Sequence, residues 1–294
     1  MHTSGTDRHR GSTDVTDDRF THDTAVEPLG GGRFRGVVDP GWAVIDGAAP
    51  NGGYLLAMTA RAMRHPLAAH PDPVTITGHF LRPPEVGPVE IDVEVVREGR
   101  RHATVAAAMR QDGREIVRTL GAFGDLSTAD GPTRVDRRPP AYPAPEACAR
   151  FTDQHEERSA ASGFPPPPIA LRFDHRIPGE LLGWTNGDPS GTAEMGGHLV
   201  WRDGAPMDVL GLLVVADCYP PAVFASGITD LGWVPTVELT VQIRKRPAPG
   251  WLTGRLTTDA ITAGYLQEDG EVWDSDGDLV ALSRQLALSA RPRR

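Results

Sequence analysis

The octapeptide TGHFLRPP (residues 77–84) has a counterpart in TVQIRKRP (240–247), and QDG (111–113) has one in SDG (275–277). Measured between first residues, the two pairs stand 163 and 164 positions apart. A nearly constant offset of somewhat more than half the chain marks an internal duplication, and the intervening segments agree with it. In the first half NGGYLLAMTARAM (51–63) follows a cap at Asn51 and reads as a helix. VTITGHFLRPP (74–84), VEIDVEVVREG (89–99), HATVAAAMRQDG (102–113) and IVRTLGAFG (116–124) are β-rich, with turn residues between them. In the second half Asp208 caps VLGLLVVADCY, followed by TVELTVQIRKRP (236–247), WLTGRLTTDAI (251–261), TAGYLQEDGE (262–271) and LVALSRQLALSA (279–290). One nearly all-apolar helix and then four antiparallel strands, written twice, specifies an α+β chain in which each helix is wrapped by its sheet.

The remaining segments punctuate this plan. Residues 1–24 are polar, carry His2, His9 and His22, and read as a disordered tail. Residues 127–164 are rich in proline and short polar blocks and read as a linker. The expected units are therefore 25–126 and 165–291.

Composition removes several function classes. A net charge of −9 and a pI near 5.6 argue against a nucleic-acid binder. Two cysteines, Cys148 and Cys218, are too few for a disulfide scaffold or a cysteine zinc site and suit a reducing cytoplasm. No apolar run reaches the roughly 20 residues that a membrane-spanning helix needs, and the N-terminus has no apolar core of a secretory signal. The expectation is a cytoplasmic protein with no metal or redox cofactor.

One residue is out of place in this pattern. LLVVADCYPPAVF (212–224) is the most hydrophobic run of the chain and contains a carboxylate, Asp217. Burial raises the pKa of a carboxyl group, which makes it a stronger base when ionised. The first-half helix has no acid, so packing alone does not explain this one. The alternative is that Asp217 lies at a frayed helix end before Pro220-Pro221 and faces solvent. Cys218 beside it points about 100° away on a helix, and an apolar setting raises a thiol pKa, so it reads as a structural cysteine. His79 sits on a strand without a local partner for a dyad. The six tryptophans (Trp42, Trp184, Trp201, Trp233, Trp251, Trp273) read as core or pocket lining.

Taken with their order and spacing, DGAAPNGGYLLAM, VVADCYPPAV, PTVELTVQIRKRP and LVALSRQLALSA resemble the TesB-like acyl-CoA thioesterases. The similarity covers 25–126 and 165–291. It implies a double hotdog fold, two tandem units each with a long central helix wrapped by a curved antiparallel sheet. It further implies hydrolysis of an acyl-CoA or related acyl thioester by a water that Asp217, Thr236 and Gln285 hold. Thr236 falls in TVELT, where the stretch to Arg246-Pro247 is one residue longer than in better-known members, so Thr240 is its rival. Gln285 shares a strand face with Ala281, Ser283, Ala287 and Ser289, small neighbours that leave room for a ligand. The first-half positions that align with Gln285 and Thr236 fall near Ala122 and Pro73, so the resemblance implies one chemical site per chain.

The Asn51-Gly52-Gly53 turn offers backbone N–H groups at a helix N-terminus, and the resemblance assigns Gly52 and Gly53 to the thioester carbonyl. Arg244 and Arg246 are candidates for the CoA phosphates. The expected partner is an acyl-CoA or acyl-carrier thioester, with homo-oligomerisation possible and neither nucleic acid nor membrane implied. Two alternatives stay open: a non-catalytic acyl-thioester or lipid-binding hotdog protein, and a hotdog dehydratase or hydratase. The latter needs a histidine near Asp217, with His79 and His198 as candidates.

Overall fold

A computed structural model of the chain describes residues 18–45, 48–153, 166–228 and 233–289. The strands are β1 Glu27–Gly30, β2 Arg33–Val38, β3 Ala43–Ile45, β4 Ala48–Pro50, β5 Asp72–Phe80, β6 Gly87–Glu98, β7 Ala103–Gln111 and β8 Arg114–Gly124. They continue with β9 Ala149–Arg150, β10 Phe173–Ile177, β11 Glu194–Trp201, β12 Thr236–Ile243, β13 Leu252–Thr262, β14 Tyr265–Trp273 and β15 Leu279–Leu288. All but the β3–β4 hairpin join one sheet, in the order β1-β2-β6-β7-β8-β5-β12-β15-β14-β13-β11-β10-β9. The order on one side of the β5–β12 contact is repeated in reverse on the other.

The duplicated marks meet at that contact. Thr77 and Thr240, the first residues of the two octapeptides, are register partners, and their Oγ1 atoms hydrogen-bond at 2.8 Å. The two halves are thus joined edge to edge through equivalent strands, which leaves neither edge unpaired there.

Three helical segments matter for the site: α1 Arg19–Asp23, α2 Gly52–Arg64 and α3 Gly211–Val215. In α2 every residue from Gly53 to Ala60 is buried, as its nearly all-apolar sequence requires. Asn51 caps it, its Oδ1 accepting the Tyr54 N–H at 2.9 Å. The second helix is much shorter than expected. Asp208 does cap it, with Oδ1 accepting the Gly211 N–H at 2.7 Å, but α3 ends at Val215. The Asp217 N–H reaches back only to the Val214 carbonyl, a tightened turn, and Pro220-Pro221 have no N–H to extend the ladder.

Two boundaries are corrected. The described residues begin at 18, inside the expected tail. Phe20 is 3% exposed and stacks on Trp201 with ring centroids 5.0 Å apart, while buried Asp23 accepts the Trp42 indole N–H at 3.0 Å. One aromatic side chain anchors a segment whose composition otherwise reads as solvated; His2 and His9 lie outside the described residues. The segment 127–164 is likewise only partly a linker. Its Tyr142 hydroxyl donates to Glu194 at 2.9 Å, and β9 within it extends the second-half edge of the sheet. Residues 154–165 lie outside the described residues.

Candidate active site

The α2 N-terminus and the end of α3 meet at glycine. A Cβ on Gly53 would run into the Leu213 carbonyl oxygen and the Val214 Cα, so only glycine allows the two helices to approach this closely. The contact brings Asp217 to the start of α2. Its Oδ2 accepts the Gly53 N–H and an Asn51 Nδ2–H, each at 2.9 Å, and its backbone carbonyl accepts Asn51 Nδ2 at 2.7 Å. Burial pushes the Asp217 carboxyl up to about 6, while the Gly53, Gly52 and Asn51 donors hold back the rise. Asp217 does lie beyond the end of its helix, but it is pinned to α2 rather than released to solvent. Its Oδ1 has no protein partner among the described residues.

This geometry corrects the expectation for Gly53. Its N–H is committed to the Asp217 carboxylate and so is not free for a substrate carbonyl. The positive end of α2 holds the protein's own anion.

Thr236 and Gln285 are hydrogen-bonded to each other, Gln285 Nε2 donating to Thr236 Oγ1 at 2.8 Å. The register explains why Thr236 and not Thr240 reaches the glutamine. Leu239 faces Gln285 and Thr236 faces Ala287, with a bulge between Thr236 and Glu238. The extra residue reverses the alternation. Thr236 consequently shares the inner face with Leu239 and Val241, whereas Thr240 lies with Glu238, whose Oε1 accepts its hydroxyl at 2.6 Å.

Asp217, Thr236 and Gln285 line one cavity of about 890 Å³ together with Asn51 and Gly52. Its walls are mainly apolar and aromatic, including Phe80, Phe151, Phe173, Trp184, Phe224 and Trp233. Trp42 and Trp201 belong to the core instead. Cys218 lines the cavity, but burial raises its thiol well above the ordinary range, as expected of an unreactive cysteine.

Several expected residues lie elsewhere. Arg246 is held by Asp72, Nη2 to Oδ2 at 2.8 Å, and neither it nor Arg244 lines the cavity. The arginine that does is Arg82. His79 is exposed beside Glu238, and His198 is bonded to Thr253 and the Pro143 carbonyl, so neither faces Asp217. The histidine in the cavity wall is His175, which burial pulls down to about 3 and so keeps neutral.

Two contributors escaped the sequence reading. Asn51 was legible as a cap, but not as the donor that fixes Asp217. Glu268 was missed altogether. It is 5% exposed, lines the cavity, and is the register partner of Gln285. A signal existed: Leu266, Glu268 and Val272 alternate on the buried face of β14, so a carboxyl stands in an apolar row.

An antiparallel sheet wrapped over a buried helix, with a mostly apolar cavity edged by a few polar side chains, defines a hotdog-fold protein. Comparison with known proteins narrows the class. Residues 38–124 match the acyl-CoA thioesterase N-terminal domain and residues 145–289 the acyl-CoA thioesterase C-terminal domain. The chain belongs to the TesB-like thioesterase family. It is 33% identical to a putative thioesterase II of Thermobifida fusca YX, covering 93% of this chain and 98% of that one with a TM-score of 0.80. A hot dog fold protein of unknown function from Alicyclobacillus acidocaldarius is 24% identical, with coverage of 94% and 99% and a TM-score of 0.79. An uncharacterized protein of Mycobacterium tuberculosis H37Rv is 27% identical over 87% of this chain and 90% of its own length. Among the described residues no helix is long and apolar enough to cross a membrane.

Proposed function

We propose that the protein hydrolyses an acyl-CoA thioester with Asp217 as general base, on two tandem hotdog units that together supply one site. The observation that carries this reading is the placement of Asp217 and the Thr236–Gln285 pair on one apolar-walled cavity. The Asn51 and Gly53 donors occupy Oδ2 and leave Oδ1 to accept a proton. The Thr236 hydroxyl takes the Gln285 Nε2–H, which leaves Gln285 Oε1 as a second acceptor for the water. A water whose two hydrogens point to these oxygens presents its lone pair to the thioester carbon. The proton passes to Asp217, the C–O bond forms, and collapse of the tetrahedral intermediate breaks the C–S bond. The departing thiolate takes that proton back from Asp217 and leaves as free CoA.

The apolar wall excludes other water and accommodates the acyl group, and Arg82 at the cavity offers a cation to the CoA phosphates. A dehydratase reading has no support in a His–Asp hydrogen bond, because the Asp217 carboxylate is engaged by Asn51 and Gly53. Release of free thiol from short, medium, long and aromatic acyl-CoAs tests the proposal, with Asp217→Ala and Gln285→Ala as controls. Turnover of at least one class, lost in both variants, is the expected outcome. No cleavage of any acyl-CoA, or full activity in both variants, overturns it.

A further inference from the structure

Hydrolysis of a thioester places negative charge on the carbonyl oxygen, and that oxygen needs a donor. At the start of α2 the Gly53 N–H is engaged by Asp217, and Gln285 Nε2 is engaged by Thr236. The cavity holds another polar group that none of these contacts uses. Glu268 stands beside Gln285 on the adjacent strand, one strand spacing of about 4.8 Å away. Its Oε2 accepts the Ala222 N–H at 2.6 Å, while Oε1 makes no hydrogen bond among the described residues.

We infer that Glu268 is a further catalytic residue, a carboxylic acid whose Oε1–H donates a hydrogen bond to the thioester carbonyl oxygen as the water attacks. This inference rests on the hydrolase reading above. The Ala222 N–H marks Oε2 as the carbonyl oxygen of the acid and leaves the hydroxyl on Oε1. As the water's oxygen bonds to carbon, the carbonyl π electrons move onto the oxygen that Glu268 holds. When they return, the C–S bond breaks. Glu268 keeps its proton throughout, and the water's proton travels by way of Asp217.

The surroundings favour the undissociated form. Burial is the main cause, the Ala222 N–H opposes it, and the Asp217 charge adds to it, so that the carboxyl is pushed up to about 8. The other titratable groups on this cavity are Cys218 and Tyr219 after α3, His175 on β10 and Arg82 after β5. Cys218 and Tyr219 are raised well above their ordinary values and His175 is lowered, so all three are neutral near pH 7. Arg82 is exposed and bonded to the Glu115 carbonyl. On its own strand the neighbouring Asp269 is paired with Arg284 at 2.6 Å. Asp217 ionised and Glu268 protonated is therefore the working state, and each carboxylate discourages ionisation of the other.

The experiment is the pH dependence of kcat and KM for wild type, Glu268→Gln and Glu268→Ala, with the folded fraction of each measured by thermal denaturation. The wild type should show an alkaline decline in kcat near pH 8. Glu268→Ala should lower kcat by roughly a hundredfold or more with little change in KM, as for loss of one oxyanion donor. Glu268→Gln keeps an N–H donor and cannot ionise, so it should lose less and lack the alkaline decline. A variant pair that retains the decline, or that loses activity only in proportion to the folded fraction, overturns the inference while leaving Asp217-dependent hydrolysis standing. If the wild type cleaves no acyl-CoA, the hydrolase reading itself has failed.

Discussion

Asn51 and Asp217, 166 positions apart, are joined by two hydrogen bonds from one amide nitrogen, to the Asp217 carbonyl at 2.7 Å and its Oδ2 at 2.9 Å. The Asn51 oxygen meanwhile caps α2 at Tyr54. A single side chain thus terminates the first-half helix and orients the second-half acid. These bonds favour the ionised carboxylate, so their removal raises its pKa. Asn51→Ala should move the acid side of the pH–rate profile upward from about 6 and lower kcat. Loss of the cap should also cost about 1 kcal/mol of stability. A profile unchanged on its acid side would remove Asn51 from the site.

Thr236 and Thr240 separate cleanly by register. Thr236→Val deletes the acceptor of Gln285 Nε2 and frees the amide to rotate. It should lower kcat with a small change in thermal stability. Thr240→Val deletes the Thr77 and Glu238 hydrogen bonds at the β5–β12 contact. It should cost about 1 kcal/mol of stability and leave thiol release intact. The reverse pattern would assign the wrong threonine.

Gly53 should tolerate no side chain. Gly53→Ala drives a methyl into the Leu213 carbonyl, part of a helix that does not yield as a side chain does. Thermal denaturation should show a loss of about 1–3 kcal/mol, the range for overpacking a tight contact, with Asp217 displaced and activity reduced together. Gly52→Ala meets the Phe80 ring and the Asp217 carboxylate, so it should reduce activity more than stability.

Much of this was legible in the chain because the physics is local. The offset between TGHFLRPP and TVQIRKRP foretold equivalent strands, and their first threonines meet as partners. An acid in an apolar run pointed to Asp217, and alternation set Gln285 on a strand face with small neighbours, without saying what that face meets. The length of the second helix was not legible, since a tightened turn before Pro220 is set by its packing on α2. The fate of the Gly53 N–H escaped for the same reason: a helix N-terminus advertises donors without saying which anion arrives. Arg246 showed its charge but not Asp72, 174 positions away. Phe20 was hidden by averaging over a polar tail.

Glu268 also makes a prediction about stability. Its folded pKa, about 8, stands above the ordinary glutamate value of 4.5. Between these values the unfolded chain binds fewer protons than the folded one, so stability falls as pH rises. The contribution is fully present below about pH 4.5 and is lost through about pH 8. Glu268→Gln should flatten this slope and unfold at higher denaturant than wild type above pH 8, by on the order of a few kcal/mol. Parallel stability curves for the two proteins from pH 5 to 9 would show that the carboxyl is not buried as described.

The most direct test of the account is the rate of thiol release by Asp217→Asn across pH, on an acyl-CoA that the wild type cleaves. The amide preserves the shape at the start of α2 and removes the base. Catalysis by a positioned base is worth about a hundred- to ten-thousandfold. The expected result is a loss of that order in kcat at pH 7, the disappearance of the acid limb near 6, and an unfolding temperature no lower than that of the wild type. A variant that folds and still hydrolyses at the wild-type rate would contradict it.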